Sequence, residues 1–105
     1  MTESALVRDI LLRFGSGYGG QVWPIRINSM AARGVKRLVR SISVNGFPDF
    51  LFVLAAGRCA FVEAKSQTGK LREEQTRFRD KAIRMGHTYI LARSVEDVER
   101  GLGLG

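Results

Sequence analysis

Two short apolar runs, Phe50 to Leu54 and Ala60 to Lys65, are joined through Ala55-Ala56-Gly57-Arg58 and the single Cys59. A connection that short leaves the two runs little choice but to pair as an antiparallel hairpin. Side chains two apart on a strand point to the same face, so Phe61, Glu63 and Lys65 share one face and Val62 and Ala64 the other. Asp49 joins Glu63's face only if the hairpin register puts it there, and a three-residue loop at Ala55 to Gly57 would set it directly opposite Glu63. Pro48 has no N–H to donate, so pairing is expected to end there and free the Asp49 carboxylate. The hairpin therefore ends in a carboxylate pair and an ammonium, groups that are costly to bury unless something compensates them.

The rest of the chain supplies the other layer of an α/β fold. Thr2 to Phe14 reads as a helix capped by Thr2, with Glu3 in its first turn and Leu6, Val7, Ile10, Leu11 and Phe14 on one apolar face. Four glycines between Gly15 and Gly20 end it. Gln21 to Asn28 alternates as a half-buried strand does, which assigns Trp23, Ile25 and Ile27 to the core side, while Pro24 means that the strand lies at an edge or begins there. Residues 29 to 46 show no regular pattern. Arg72 to Met85 reads as a second helix closed by Gly86, with Leu71, Phe78, Ala82 and Met85 as its inward stripe and Gln75 within that stripe. Thr88 to Ala92 is a further core strand. Ser94-Val95-Glu96-Asp97 has the form of a capping box that opens a last short helix, and the terminal Gly-Leu-Gly-Leu-Gly is expected to fray. The order α-β-β-β-α-β-α over a single domain, 1–105, predicts a mixed central sheet, because the helix between Lys65 and Thr88 permits a parallel crossover.

Seventeen Lys and Arg against ten Asp and Glu give a net charge of +7. On a chain of 105 residues that surplus points to a polyanionic partner, although by charge alone nucleic acid and a merely solvated basic face are equally good readings. There is no polybasic amphipathic helix with a Trp/Phe stripe and no apolar run long enough to span a bilayer, so a membrane partner is not expected. The opening Met-Thr-Glu lacks the basic start of a secretory signal, which suits a cytoplasmic location. Cys59 reads as a small buried hydrophobe, and a single Cys with a single His cannot build a structural zinc site. Neither a Ser/His/Asp or Cys/His set nor a phosphate-cradling P-loop is present.

The charged end of the hairpin carries the chemistry. Asp49 and Glu63 are candidate ligands for Mg²⁺ or Mn²⁺, with the Ala64 carbonyl and waters completing an octahedron. Such an ion polarises a phosphoryl oxygen and lowers the pKa of an attacking water. Lys65 is placed to orient that water or to neutralise charge developing on the phosphate. Gln75, an amide in an apolar stripe, needs partners, which a position near the metal would supply; a core-edge glutamine is the equal alternative. Glu3 lies in line with the inward residues of the first helix and can complete the site or hydrogen-bond its waters, although local sequence alone favours a dipole-stabilised acid in the first turn. Arg33, Lys36, Arg37 and Arg40 suit a phosphate-binding segment, and Lys70, Arg72 and Arg79 extend the basic surface around the cleft. Taken singly, these residues also read as solvated charges, a structural Glu63–Lys65 pair, or an Asp capping a turn. Trp23 and Tyr18 offer rings for stacking on bases, but the alternation of Trp23 with Ile25 and Ile27 favours the core. His87 reads as structural.

Gly46-Phe47-Pro48-Asp49, Val62-Glu63-Ala64-Lys65-Ser66, Gly69-Lys70-Leu71, Glu74-Gln75, Gly86-His87-Thr88-Tyr89 and Ala92-Arg93-Ser94-Val95-Glu96-Asp97 follow one another in the chain. A lone Pro-Asp or Glu-x-Lys is a weak signal; the ordered set is strong. It resembles the VRR-NUC (virus-type replication-repair nuclease) family of the PD-(D/E)xK nuclease superfamily, and the likeness runs from Glu3 through Trp23-Pro24-Ile25-Arg26 nearly to the C-terminus. The resemblance implies a restriction-endonuclease-like core, with Asp49, Glu63 and Lys65 catalytic, Gln75 assisting, Glu3 matching the acid of the family's first helix and Arg26 joining the DNA-binding set. The length is similar to compact stand-alone phage and bacterial members, which act as homodimers on branched DNA such as Holliday junctions. The implied activity is that of a Mg²⁺- or Mn²⁺-dependent endodeoxyribonuclease acting on duplex or branched DNA in repair, recombination or replication. The alternative is a non-catalytic nucleic-acid-binding module or a subunit of a larger DNA-processing complex. Many members have a serine before the second helix where this chain has Arg72, so that cap is weaker or made otherwise. Ala64 and Phe50 replace commoner aliphatics and leave the ligands untouched.

Overall fold

The Thr2 hydroxyl accepts a hydrogen bond from the Ala5 amide at 3.1 Å, which satisfies one of the free donors of a first helical turn. In the computed structural model of the chain, which describes residues 2–27 and 46–104, this helix is α1, Glu3–Phe14. It is followed by β1 (Val22–Arg26), β2 (Phe50–Leu54), β3 (Cys59–Ala64), α2 (Glu73–Arg84), β4 (Thr88–Ala92) and α3 (Val95–Leu102). The strands form one sheet in the order β1-β2-β3-β4. The β1–β2 and β2–β3 pairings are antiparallel and β3–β4 is parallel, with α2 as the crossover. The α/β layout and the mixed sheet are those expected from the sequence. Arg33, Lys36, Arg37 and Arg40 lie outside the described residues.

The hairpin closes through Ala55–Gly57, with the Leu54 amide donating to the Arg58 carbonyl at 2.9 Å. Its register pairs Phe50 with Val62 and Phe52 with Ala60, so these four side chains share a face. Leu6, Ile10 and Phe14 of α1 and Val95, Val98 and Leu102 of α3 bury that face in one continuous core. Phe14 meets Phe52 edge-on, with ring centroids 5.4 Å apart. Ser94 caps α3 by accepting from the Asp97 amide at 3.1 Å, while Asp97 accepts in return from the Arg93 amide at 2.8 Å, one residue before the cap.

The C-terminal Gly-Leu repeat does not fray over its described residues. Leu102 is buried and Leu104 packs against the core. Gly101 runs so close to β4 that an added Cβ would come within 2.5 Å of Ile90 Cδ1. Gly103, at φ 74, closes the helix in the left-handed region.

Only α2 covers the other face among the described residues, and it lies over β3 and β4. Phe78 packs on Phe61 and Phe47, with centroids 5.0 and 5.1 Å away. Two expectations fail on this face. Met85 is 66% exposed because it is the C-cap, where the backbone has already left the helical stripe. Trp23 is 64% exposed rather than core: β1 alternates as expected, but its covered side is the one carrying Val22, under α1. The Ile27 amide donates to the Asp49 carbonyl at 2.8 Å. By the period of two, Trp23, Ile25 and Ile27 turn their backbone toward β2, and Pro24 turns its donorless nitrogen to the free edge of the sheet. No helix among the described residues is long and apolar enough to cross a membrane.

Candidate active site

Continuing the β2–β3 register one step beyond Phe50–Val62 sets Asp49 opposite Glu63. Leu54 and Arg58 form a hydrogen-bonded pair. By alternation the next such pairs are Phe52–Ala60, Phe50–Val62 and Pro48–Ala64. Pro48 has no N–H, so the ladder breaks at the last of these. The Ala64 amide donates to Asp49 Oδ2 instead, at 2.9 Å. The Ala64 carbonyl loses the donor that another residue at position 48 would present to it. One proline thus anchors a carboxylate and releases a carbonyl oxygen at the same end of the hairpin. From β1, Arg26 Nη1 donates to the Asp49 carbonyl at 3.0 Å and lies 3.6 Å from Asp49 Oδ1.

Glu63 and Lys65 are buried on one face of β3, with Lys65 Nζ 3.8 Å from Glu63 Oε2. Gln75 reaches them from the first turn of α2. Its Nε2 donates to Glu63 Oε2 at 3.4 Å, and its Oε1 accepts from the Arg72 amide at 2.8 Å. An arginine side chain has no acceptor to cap a helix, so Gln75 supplies the cap from inside, and doing so turns its NH₂ group toward Glu63. Gly46, at φ 78, brings the turn before Pro48-Asp49 against this helix start; a Cβ there would overlap the Glu74 backbone. The first turn of α1 adds Glu3. Carboxylate oxygens of Glu3, Asp49 and Glu63 all lie within 4.8 Å of one another.

Burial, reinforced by the charge of Asp49 and further by that of Glu3, pushes the Glu63 carboxyl up to about 8 against the opposing pull of Lys65. Three clustered carboxylates, one of them beside the Lys65 ammonium, make a negative pocket whose donors are all oxygen. A hard divalent cation neutralises such a cluster and matches its ligand type, so Glu3, Asp49 and Glu63 fit Mg²⁺ or Mn²⁺.

The remaining candidates divide. Lys70 is exposed. Arg72 and Arg79 sit at the surface in ion pairs with Glu74 (3.4 Å) and Asp80 (3.1 Å). Arg26 is engaged with Asp49. Tyr18 is tied to the scaffold: its ring stacks on Phe14 and its hydroxyl donates to Glu99 Oε2 at 2.7 Å. His87 is exposed, with its ring edge-on to Phe61.

Sequence reasoning passed over Tyr89. It pairs beside Phe61 on the face that carries Glu63, and its hydroxyl is buried without a partner among the described residues. Burial first, and then the Glu63 charge, raise its pKa. The alternation of Thr88 to Ala92 was the available signal, but it points to this face only once the parallel register with β3 is known.

The sequence model of the VRR-NUC domain family matches residues 24–96, a span that contains every residue of the cluster except Glu3. A solved structure of a VRR-NUC domain is similar at a TM-score of 0.67 and 20% identity, covering 98% of this chain and 97% of that one, a likeness of fold. No curated protein matches the chain. With the family's pattern over most of its length and the family's fold over nearly all of it, the chain belongs to the VRR-NUC domain family, and so to nuclease-type DNA-processing domains.

Proposed function

We propose that this chain is a Mg²⁺- or Mn²⁺-dependent endodeoxyribonuclease that cleaves branched DNA. The observation that carries the reading is the cluster itself: carboxylate oxygens of Glu3, Asp49 and Glu63 within 4.8 Å of one another, beside a buried lysine. Asp49 and Glu63 would hold the cation, with Glu3 and the Ala64 carbonyl released by Pro48 as the further oxygens available to it. When bound, the cation supplies Lewis-acid polarisation of a phosphodiester and a more acidic water. The protein's own groups do the rest. The Ala64 amide and Arg26 keep the Asp49 carboxylate from rotating, and Gln75 holds Glu63 through one oxygen. Lys65, 3.8 Å from Glu63, offsets negative charge that develops on the phosphate in the transition state.

The net charge of +7 supports DNA as substrate, and the basic residues Arg33, Lys36, Arg37 and Arg40 with Lys70, Arg72 and Arg79 are the phosphate-binding set in this reading. One such site cuts one strand. Paired nicks across a junction therefore call for two copies related by a two-fold axis, and the functional unit is a homodimer. The test incubates labelled duplex, flap and four-way-junction DNA with the protein and either metal. Wild type is expected to cut, with the junction preferred, whereas Asp49→Ala and Lys65→Ala lose cleavage and keep most DNA affinity. Cleavage that survives both substitutions excludes this site. Binding without a cut in either metal replaces the enzyme with a binding module.

A further inference from the structure

Trp23 has no part in the proposed chemistry, yet its placement is specific. It stands 64% exposed on the edge strand β1, on the face of the sheet that also carries Asp49 and Glu63. The register lines up Trp23 with Val53 and Ile25 with Leu51, and the next step brings Ile27 beside Asp49. Ile25, Leu51 and Val53 are only half-buried. An apolar floor therefore runs from the indole to the carboxylates. Four residues of strand separate Trp23 from Ile27, about 13 Å.

A single exposed apolar side chain needs no explanation, but an indole at the end of a continuous half-covered floor is a different case. An added protein strand is a poor occupant for this edge. Val22, Pro24 and Arg26 are the residues whose backbone faces outward, and Pro24 removes the donor from the middle of that row. What the surface offers is a flat π face, an apolar track and, across the molecule, a surplus of seven positive charges. A nucleobase on a polyanionic strand matches all three.

We propose that Trp23 is a stacking platform for an unpaired base of the DNA strand held at the carboxylate cluster. In a duplex each base is already stacked between its neighbours, so the platform selects strands that are single or unstacked next to the cut, as at a branch. At about 3.4 Å per stacked nucleotide, 13 Å corresponds to roughly four nucleotides from the scissile phosphate, and fewer if the strand is stretched. The inference deepens the nuclease reading and rests on it.

Trp23 is the only tryptophan in the chain, so intrinsic fluorescence reports this residue alone. The wild-type protein in EDTA, which prevents cleavage, is titrated with a single-stranded oligonucleotide, a blunt duplex and a four-way junction. Anisotropy of labelled DNA follows binding in parallel. The indole is expected to be quenched in step with the anisotropy on single-stranded and junction DNA, and far less on the blunt duplex. Trp23→Ala weakens single-strand binding about five- to 150-fold, whereas Trp23→Phe, which keeps a π face, retains most of it. Because the side chain is exposed, both variants keep the wild-type melting temperature, which separates loss of stacking from loss of fold. Anisotropy that rises without quenching, or Trp23→Ala binding like wild type, overturns the platform and leaves the nuclease reading standing. Failure to bind any of the three DNAs overturns both. Quenching that grows with protein concentration and no DNA reassigns the indole to contact between copies of the chain and overturns the proposal.

Discussion

With divalent cations removed from the solution, the carboxylate cluster is expected to show itself as a dependence of stability on pH. Glu63 moves from an ordinary carboxylate value of 4.5 in the unfolded chain to about 8 in the folded one, chiefly through burial and then through Asp49. The folded state therefore keeps a proton that the unfolded state has released throughout that interval. Stability is fully present below about 4.5 and is lost as pH rises through about 8. At 1.36 kcal/mol per pH unit the whole interval corresponds to about 5 kcal/mol. Most assays span less of it, and between pH 5 and pH 7 the loss is about 2 to 3 kcal/mol. For a domain of this size that lowers the melting temperature by about 10 °C or more. Other shifted groups titrate elsewhere. Glu99, held down first by the Tyr18 hydroxyl, acts below the interval, and Tyr18 and Tyr89 are raised from an already high value. The assay is thermal unfolding followed by circular dichroism across pH 5 to 8, in EDTA and in saturating Mg²⁺. Melting temperature in EDTA is expected to fall with pH, Mg²⁺ to restore more of it at pH 8 than at pH 5, and Glu63→Gln to flatten the EDTA profile. A metal-free melting temperature that stays level or rises over this range refutes the reasoning, as does a Glu63→Gln profile parallel to wild type.

Two further substitutions test the supports of the site and of the fold. Gln75→Ala removes both the acceptor for the Arg72 amide and the donor to Glu63; the cap costs about 1 kcal/mol, and the Mg²⁺ concentration for half-maximal cleavage rises about tenfold or more. An unchanged metal titration would assign Gln75 to the helix alone. Gly101→Ala forces a Cβ toward Ile90 Cδ1 and destabilises by about 1 to 3 kcal/mol in chemical unfolding. Ile90→Val in the same chain recovers part of that loss, and cleavage per folded molecule stays at the wild-type level in both. No recovery in the double variant would locate the conflict elsewhere.

What was legible in the sequence follows a physical rule. The hairpin could be read because strand period, loop length and the missing donor of Pro48 are all local quantities, and together they already set Asp49 across from Glu63. Gln75 could be flagged because an amide in an apolar stripe is a local anomaly; that its two ends serve a helix start and a carboxylate is decided by Gly46, Arg72 and Glu63 meeting in space. Trp23 and Met85 misled for a shared reason. Periodicity divides an element into faces but does not say which face receives a neighbouring layer or where that layer stops. For β1 the covering helix is α1, which lies on the Val22 side, and α2 does not extend over the edge strand. The terminal glycines misled in the opposite sense, since flexibility in a free peptide is also what lets Gly101 approach Ile90 and Gly103 turn left-handed. Tyr89 needed still more, a parallel register between strands separated by a whole helix. Residues whose role is set by their own strand or turn are therefore readable one chain at a time, whereas those whose role depends on which layer comes to lie over them are not. In this protein the hairpin carboxylates proposed to hold the metal fall in the first class, and Trp23, the side chain proposed to sense the state of the DNA, falls in the second.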